Sequence, residues 1–301
     1  MNFTIDLHVH TINSDGQYTP PEVIDIARSK GVKTLVFTDH SGITHSKEIV
    51  SYAKRAGIEI PLMGIEISTI HKGNKYHVLG YAKNFRNSEL ESYLMYPTAI
   101  KNERYIKIIE MLRSSGYNIP VHREMLKGIN VNGTYMHKDK WMFTGTLIAS
   151  YVSQVSGLSP DEARSLFSGG IYPEKRFIYI EKGKSREERY LPTCEVIRKL
   201  REYGAVTILA HPWWECTGRG NTTENVIAHF QDFIDAGLAG FEALSQQNDE
   251  CFVEAGNKLD KMYPHLLHVG GSDYHGDKRP DLGVRGVTEE NYRKLMEMVR
   301  I

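Results

Sequence analysis

The sequence predicts an α/β fold, in which parallel strands alternate with helices around one shared mouth and a mostly helical insertion interrupts the series. Three observations predict it. Residues 1–83 repeat a strand-then-helix rhythm, and the rhythm resumes from Cys194 onward. Between them, residues 84–193 carry helical periodicity with few strand signals. Every predicted strand ends in, or runs directly into, a side chain of metal-ligand type. His8 and His10 close the first strand and His40 follows the second. Glu66 and His77 lie in the third and fourth, His211 follows a later one, and Asp273 and His275 follow the last. In a barrel of parallel strands, residues at the carboxyl ends point into a common mouth. Donors spread from residue 8 to residue 275 would therefore meet.

The elements follow in order. Residues 3–9 read as a short strand. Thr19, with Glu22 three residues on and Pro20 at the first helical position, opens a helix that Gly31 ends. Residues 34–38 are a buried strand leading to Asp39 and His40, and a second helix runs from Ser46 to Gly57. Residues 62–68 and 76–81 are strand-like and continue the parallel series. In the insertion, residues 105–113 and 147–155 have apolar side chains at helical spacing, and Ser159-Pro160-Asp161-Glu162 starts a further helix. A helix ending near Tyr203 then leads into a strand at 205–210, a helix over 223–236, a strand at 240–242 and a last strand at 266–271. No repeat at a solenoid period and no low-complexity tract is present.

Composition excludes several classes. Lys plus Arg equals Asp plus Glu at 37 each, so no global basic surface awaits a long nucleic acid. Three widely spaced cysteines argue against a disulfide framework and for a reducing compartment. No segment approaches the roughly 20 apolar residues of a membrane span, and the first residues lack a basic-then-apolar signal. The expected location is the cytoplasm.

The donors have chemical reasons to act together. His8 and His10 share one face of a strand, so both imidazoles reach one ion. Asp15 adds an oxygen ligand in a tight loop, where Gly16 lets the backbone close. Asp39 stands beside His40, where it would fix its tautomer. Glu66 is a carboxylate in an apolar run, and a lone buried carboxylate costs several kcal/mol unless something neutralises it. Mixed imidazole and carboxylate donors suit manganese, iron or zinc, with magnesium a lesser alternative. Nine donors exceed the needs of one ion, so a carboxylate bridging two ions is expected, an arrangement that serves phosphoryl chemistry. Glu242 reads as a buried group behind these donors or a capped strand end.

The stretches Asp6 to Gly16, Thr38-Asp39-His40, Ala210-His211-Pro212 and Gly271 to His275, taken in this order with Gly64-Ile65-Glu66 and residues 75–81 between them, resemble the signature motifs of the polymerase and histidinol phosphatase (PHP) family. The resemblance covers residues 1–83 and 194–285. It implies a distorted (β/α)7 barrel, residues 1–83 and 194–301, carrying a helical, substrate-capping insertion at 84–193. It also implies a cluster of up to about three divalent metals. His8, His10, Glu66 and Asp273 would surround one ion; Glu66, His77 and His211 a second; Asp15, His40 and His275 a third. The layout is similar to that of the stand-alone phosphoesterases, some of which act on 3',5'-bisphosphonucleotides and on short RNA ends. One departure stands out: members of that branch often carry Gly-Arg-Pro-His at an insertion helix, whereas the corresponding residues here run from Phe143 to Ala149 without Arg or His. Lys138, Lys140, Lys175 and Arg176 are the candidates to bind phosphate instead.

The expected function is therefore metal-dependent phosphoesterase activity on a small phosphorylated substrate, a phosphomonoester such as a nucleotide or a 3',5'-bisphosphonucleotide. A metal-activated hydroxide would attack phosphorus, and Asp273, His275 and His40 would assist proton transfer. Two alternatives stay open: an exonuclease on short oligonucleotides, and a non-catalytic metal-binding domain. No membrane and no long nucleic acid is expected as partner.

Overall fold

The computed structural model describes residues 3–121, 141–168, 173–179, 185, 187–213, 216, 221–243, 250–277 and 280–299. In chain order the elements begin β1 (Ile5–Val9), α1 (Pro20–Ser29), β2 (Thr34–Phe37), α2 (Lys47–Ala56), β3 (Met63–His71), β4 (Asn74–Ala82), α3 (Ser88–Leu94) and α4 (Tyr96–Ser114). They continue with α5 (Gly145–Ser156), α6 (Pro160–Ser165), β5 (Leu191–Pro192), α7 (Thr193–Glu202), β6 (Val206–Ala210), α8 (Thr223–Ala236), β7 (Gly240–Glu242), α9 (Glu250–Met262), β8 (Leu267–Val269) and α10 (Glu289–Met298). No helix among the described residues is long and apolar enough to cross a membrane.

Local chemistry sets the helix ends. Glu22 N donates to Thr19 Oγ1 at 3.3 Å and Thr19 N donates to Glu22 Oε2 at 2.8 Å, the reciprocal capping box expected of α1. Ser46 caps α2, which stops at Gly57 in the left-handed region. Ser159 and Glu162 repeat the capping box on α6.

β1 and β2 pair in parallel. The second sheet runs β5-β3-β4-β6-β7-β8. Two bridges connect the sheets. His40 pairs with Glu66 at the β2–β3 junction, and Val9 pairs with Tyr274 beyond β8. Thus β1 lies between β2 and the C-terminal segment, with His10 N donating to Tyr274 O at 2.9 Å and Phe3 N to Gly283 O at 2.7 Å.

One expectation is corrected. β3 and β4 do not continue the parallel series; they form an antiparallel hairpin from Met63↔Ala82 to His71↔Asn74. The turn explains it: Lys72 and Gly73 both have positive φ, 46° and 77°, as a two-residue hairpin turn with the strands' own twist requires. β4 is also antiparallel to β6, and the parallel direction returns with β7 and β8.

The apolar side chains divide by place. Ile5, Leu7, Val36, Leu79, Ile208 and Val269 meet among the strands. Val23, Ile24 and Ala27 of α1 pack with Leu35 and Phe37 of β2. A further core joins β3 and β4 to α7 and α8. Ile108, Ile109 and Leu112 of α4 make a separate core with Phe143, Ile148 and Phe167. Residues 108–178 thus hold an apolar centre of their own, while Phe85, Leu90 and Leu94 join the core of β3, β4, α7 and α8.

Candidate metal centre

The structure brings all nine predicted donors together. Glu66 sits at the middle, on β3, almost fully buried. Its Oε1 lies 2.8 Å from His77 Nδ1 and 3.0 Å from His211 Nε2. Its Oε2 lies 3.1 Å from His10 Nε2, 3.2 Å from His40 Nδ1 and 3.6 Å from His8 Nε2. Asp273 Oδ1 is 3.4 Å from His8 Nε2 and 3.3 Å from His10 Nε2. Asp15 reaches His275 Nε2 at 3.2 Å, His10 Nδ1 at 3.5 Å and His40 Nε2 at 3.6 Å.

Three groups have donor atoms close enough to hold an ion: His8, His10 and Glu66; Glu66, His77 and His211; His10, Asp15, His40 and His275. Glu66 belongs to two of them, as the expected bridge would. His10 also belongs to two, one more than the resemblance implied, because its Nδ1 faces Asp15 while its Nε2 faces Glu66.

The donor set fits divalent cations on chemical grounds. Ligands about 2.0–2.2 Å from one ion stand roughly 3.0–3.5 Å apart at tetrahedral or octahedral angles, close to the separations above. The Nε2 atoms of His8 and His10 are 3.1 Å apart. Two nitrogens at that distance share at most one proton, while an ion uses both lone pairs. The buried Nδ1 of His40 has no hydrogen-bond partner among the described residues, although it faces Glu66.

Groups behind the donors aim them. His8 Nδ1 lies 3.1 Å from both oxygens of Glu242, which leaves Nε2 for the site. The same carboxylate accepts from His211 N at 2.8 Å. His275 Nδ1 lies 2.7 Å from the Asp273 carbonyl, and His77 Nε2 lies 3.0 Å from Ser68 Oγ. Asp39 does not fix the tautomer of His40. Its carboxylate accepts from Thr11 N at 2.8 Å, Thr11 Oγ1 at 2.7 Å, and the hydroxyls of Ser14 and Thr44. It therefore shapes the loop that carries Asp15. Gly16 in that loop is required by space, since a Cβ there would lie 2.8 Å from the His10 carbonyl. His211 and Asp273 hold positive φ, 25° and 53°, strain of the kind that collects at functional sites.

Burial and charge set the protonation pattern. Burial disfavours the imidazolium of His10, yet Asp273 and Glu66 outweigh it and hold its pKa up to about 10. His8 is likewise well above the usual range against its burial, because of Glu242, Glu66 and Asp273. Burial wins at His40, whose pKa falls to about 4, and at His77. Burial would raise the carboxyl pKa of Glu66, but His40, His77 and His8 hold it well below the usual range.

A cavity of about 430 Å³ opens above the donors, within the range of small-molecule sites. Its floor includes Asp15, His40, Glu66, His77 and Asp273, and its opposite wall is the first half of α4. Lys138 and Lys140 lie outside the described residues. Lys175 and Arg176 are not among the lining residues: Lys175 pairs with Glu162 at 2.6 Å, and Arg176 stacks 4.6 Å from the Tyr179 ring centre. Lys75, Lys101, Arg104 and Arg189, none of them expected, line the cavity instead. The segment before α5 is tied to this region by Trp141, whose Nε1 donates to the His40 carbonyl at 2.8 Å over Gly42.

Known proteins resemble this chain in sequence and in fold. The PHP domain profile matches residues 6–113. A 5'-3' exoribonuclease of Escherichia coli is 32% identical over 283 residues, 90% of this chain and 84% of that protein. The chain belongs to the PHP domain family. Other relatives span nearly the whole chain. A phosphoribosyl 1,2-cyclic phosphate 1,2-diphosphodiesterase of Eggerthella lenta is 27% identical, covering 93% of this chain and 98% of its own. A 3',5'-nucleoside bisphosphate phosphatase of Chromobacterium violaceum is 26% identical, covering 93% and 90%. In fold, the chain resembles a Bifidobacterium adolescentis protein whose crystal structure is described as that of a metal-dependent phosphoesterase. The TM-score is 0.71 at 21% identity, with 97% of this chain and 95% of that one covered.

The protonation pattern of this PHP site has a measurable sign. In the metal-free protein the raised pKa of His10 contributes stability that is complete below about 6.5 and is lost as pH climbs toward about 10. A cation competes for the same lone pair. Its apparent affinity should therefore rise over pH 6.5–10, by about tenfold per pH unit for each proton displaced. Titrating metal-free protein with Mn²⁺ at pH 8 in weak buffer should release at least about one proton per chain. A pH indicator reads this directly, and no release would contradict the competition.

Proposed function

We propose that this PHP-family chain is a metal-dependent phosphoesterase that hydrolyses a small phosphorylated substrate, with nucleotide-sized phosphate esters first among them. The observation that carries the reading is Glu66, one carboxylate shared between two groups of imidazole donors. Phosphodiester and phosphomonoester cleavage in the names of its relatives supports the reaction class.

Divalent cations, with manganese, iron or zinc suited to this donor set, would supply Lewis acidity toward phosphoryl oxygens and make a water ionisable near neutral pH. We assign their binding to His8, His10, Asp15, His40, Glu66, His77, His211, Asp273 and His275. Proton transfer falls to His40, Asp273 and His275. Burial keeps the His40 ring neutral, and the Asp273 carbonyl holds the ring of His275 so that its Nε2 faces Asp15. Residues 1–83 and 194–301 we assign to a distorted (β/α)7 barrel, on the two bridges that join its sheets. Residues 84–193 we assign to a capping insertion, on its separate core and on α4 at the cavity wall. A cytoplasmic location suits Cys194 and Cys216, neither of which forms a disulfide.

Elemental analysis paired with a phosphate-release screen tests this reading. The screen covers mononucleotides, 3',5'-bisphosphates, sugar phosphates and short oligonucleotides. About two or three ions per chain, with release from mononucleotide-sized esters that a chelator abolishes, is the expected result. A loaded protein inert toward all of them would be a binding domain. Faster release from oligonucleotides would make it an exonuclease, the activity named for its Escherichia coli relative.

A further inference from the structure

We propose that Lys101 and Arg104, one turn apart on α4, form an anion subsite that takes a second phosphate of the substrate while the first lies at the metal donors. The inference rests on the phosphoesterase reading and names the substrate class it serves: small esters bearing two phosphoryl groups.

The argument begins with charge. Of the carboxylates lining the cavity, Asp15 and Glu66 belong to groups that could hold an ion, and Asp273 stands beside them, 3.3 Å from His10 Nε2. Of the lysines and arginines lining it, Lys75 shares β4 with the donor His77, whereas Lys101 and Arg104 lie on α4 and Arg189 before β5, neither of which carries a donor. The donor segments bring the acids to the cavity, and α4 brings only cations. The chain as a whole has as many acidic as basic residues, so a helix that brings two cations and no acid to the cavity is a local concentration.

Partners come next. Among the described residues, the Nε of Arg104 is buried and has no hydrogen-bond partner. A buried guanidinium N–H left unmade is costly, and an oxyanion in the cavity would satisfy it. The Nζ of Lys101 has the Sδ of Met142 at 3.7 Å as its hydrogen-bond contact, a weak acceptor. Both groups thus face the cavity without a carboxylate at ion-pair distance among the described residues. Their helix is held from behind: Asn102, between them, donates to Trp141 O at 2.7 Å and accepts from Phe143 N at 2.9 Å. The same Trp141 is bonded to the His40 carbonyl, which fixes α4 relative to the floor.

The test uses full-length, metal-loaded protein and the variants Lys101→Met, Arg104→Met, their double and the conservative Arg104→Lys. Methionine keeps the length of each stem and removes the charge. Wild type should prefer adenosine 3',5'-bisphosphate to adenosine 5'-monophosphate. Each single change should lower kcat/KM for the bisphosphate by about 10- to 100-fold, mostly through KM, because charge-assisted contacts carry that weight. Hydrolysis of the monophosphate and of p-nitrophenyl phosphate should stay within about threefold. Arg104→Lys should recover part of the loss. Equal losses on all substrates, or no loss on the bisphosphate, would overturn the subsite.

Calorimetric binding of adenosine 3',5'-bisphosphate to metal-free protein gives a second readout that needs no turnover. Binding at least about tenfold weaker in the double variant supports the subsite, and unchanged binding overturns it. If wild type cleaves no phosphate ester, the functional reading fails, and the calorimetry still decides the subsite.

Discussion

Glu66→Gln should lower phosphate release by about three orders of magnitude or more while the protein stays folded. Glutamine keeps the volume of the side chain and removes the charge that faces five imidazoles. One carboxylate oxygen serves His77 and His211, and the other serves His8, His10 and His40. An amide presents a donor to one of these sets, where a cation would need an acceptor. Two donor groups lose their shared member together, so metal content should fall with activity. The check is kcat against metal per chain at saturating Mn²⁺. A loss below about tenfold would mean that Glu66 does not bridge the centre.

Asp39→Ala should act through the loop rather than through the donors. Four donor groups converge on that carboxylate: Thr11 N, Thr11 Oγ1, and the hydroxyls of Ser14 and Thr44. The hydroxyls can turn elsewhere, but the amide of Thr11 cannot. Leaving it buried and unpaired, with a small cavity beside it, should cost about 3–5 kcal/mol. In a chain of this size that lowers Tm by roughly 5–8 °C. Asp15, carried by the same loop, should lose its position against His275 and His40, so the metal content should fall by about one ion per chain. Calorimetry and elemental analysis read the two effects. A variant with wild-type Tm and full metal content would remove Asp39 from this role.

The two residues also mark what a sequence makes legible. Glu66 stands out because a carboxylate in an apolar strand has no inexpensive explanation other than a cation or a partner. The histidines at strand ends stand out for the same reason, and all nine donors meet. Asp39 was legible as a buried acid but not in its partners. Adjacency to His40 suggested a contact, whereas the fold turns the carboxylate to Thr11, 28 positions away. Glu242 was similarly visible, while its contact with His8 spans 234 positions.

The direction of β3 and β4 was misread because two strands joined by Lys72-Gly73 look, residue by residue, like any two buried strands; the positive φ at both turn positions decides the pairing. The basic wall was missed for a physical reason. Helical periodicity marks residues 105–113, where Ile108, Ile109 and Leu112 are buried in a core. The first half of α4 faces a polar cavity instead, so it lacks the apolar stripe that announces a helix.

The place of β1 between β2 and the segment around Tyr274 has a kinetic consequence. β1 gains its second neighbour, around Tyr274, only after about 265 further residues have been made. Closing a loop of about 265 residues carries an entropic cost of roughly 5 kcal/mol in its length-dependent part. Until then the edge of β1 is unpaired, and such edges template wrong pairings. Glu66 and His77, by contrast, sit on one hairpin and can meet early, since local contacts form fastest. Assembly should therefore run from the hairpin outward, with the arrival of the segment around Tyr274 as the slow step that closes the second edge of β1.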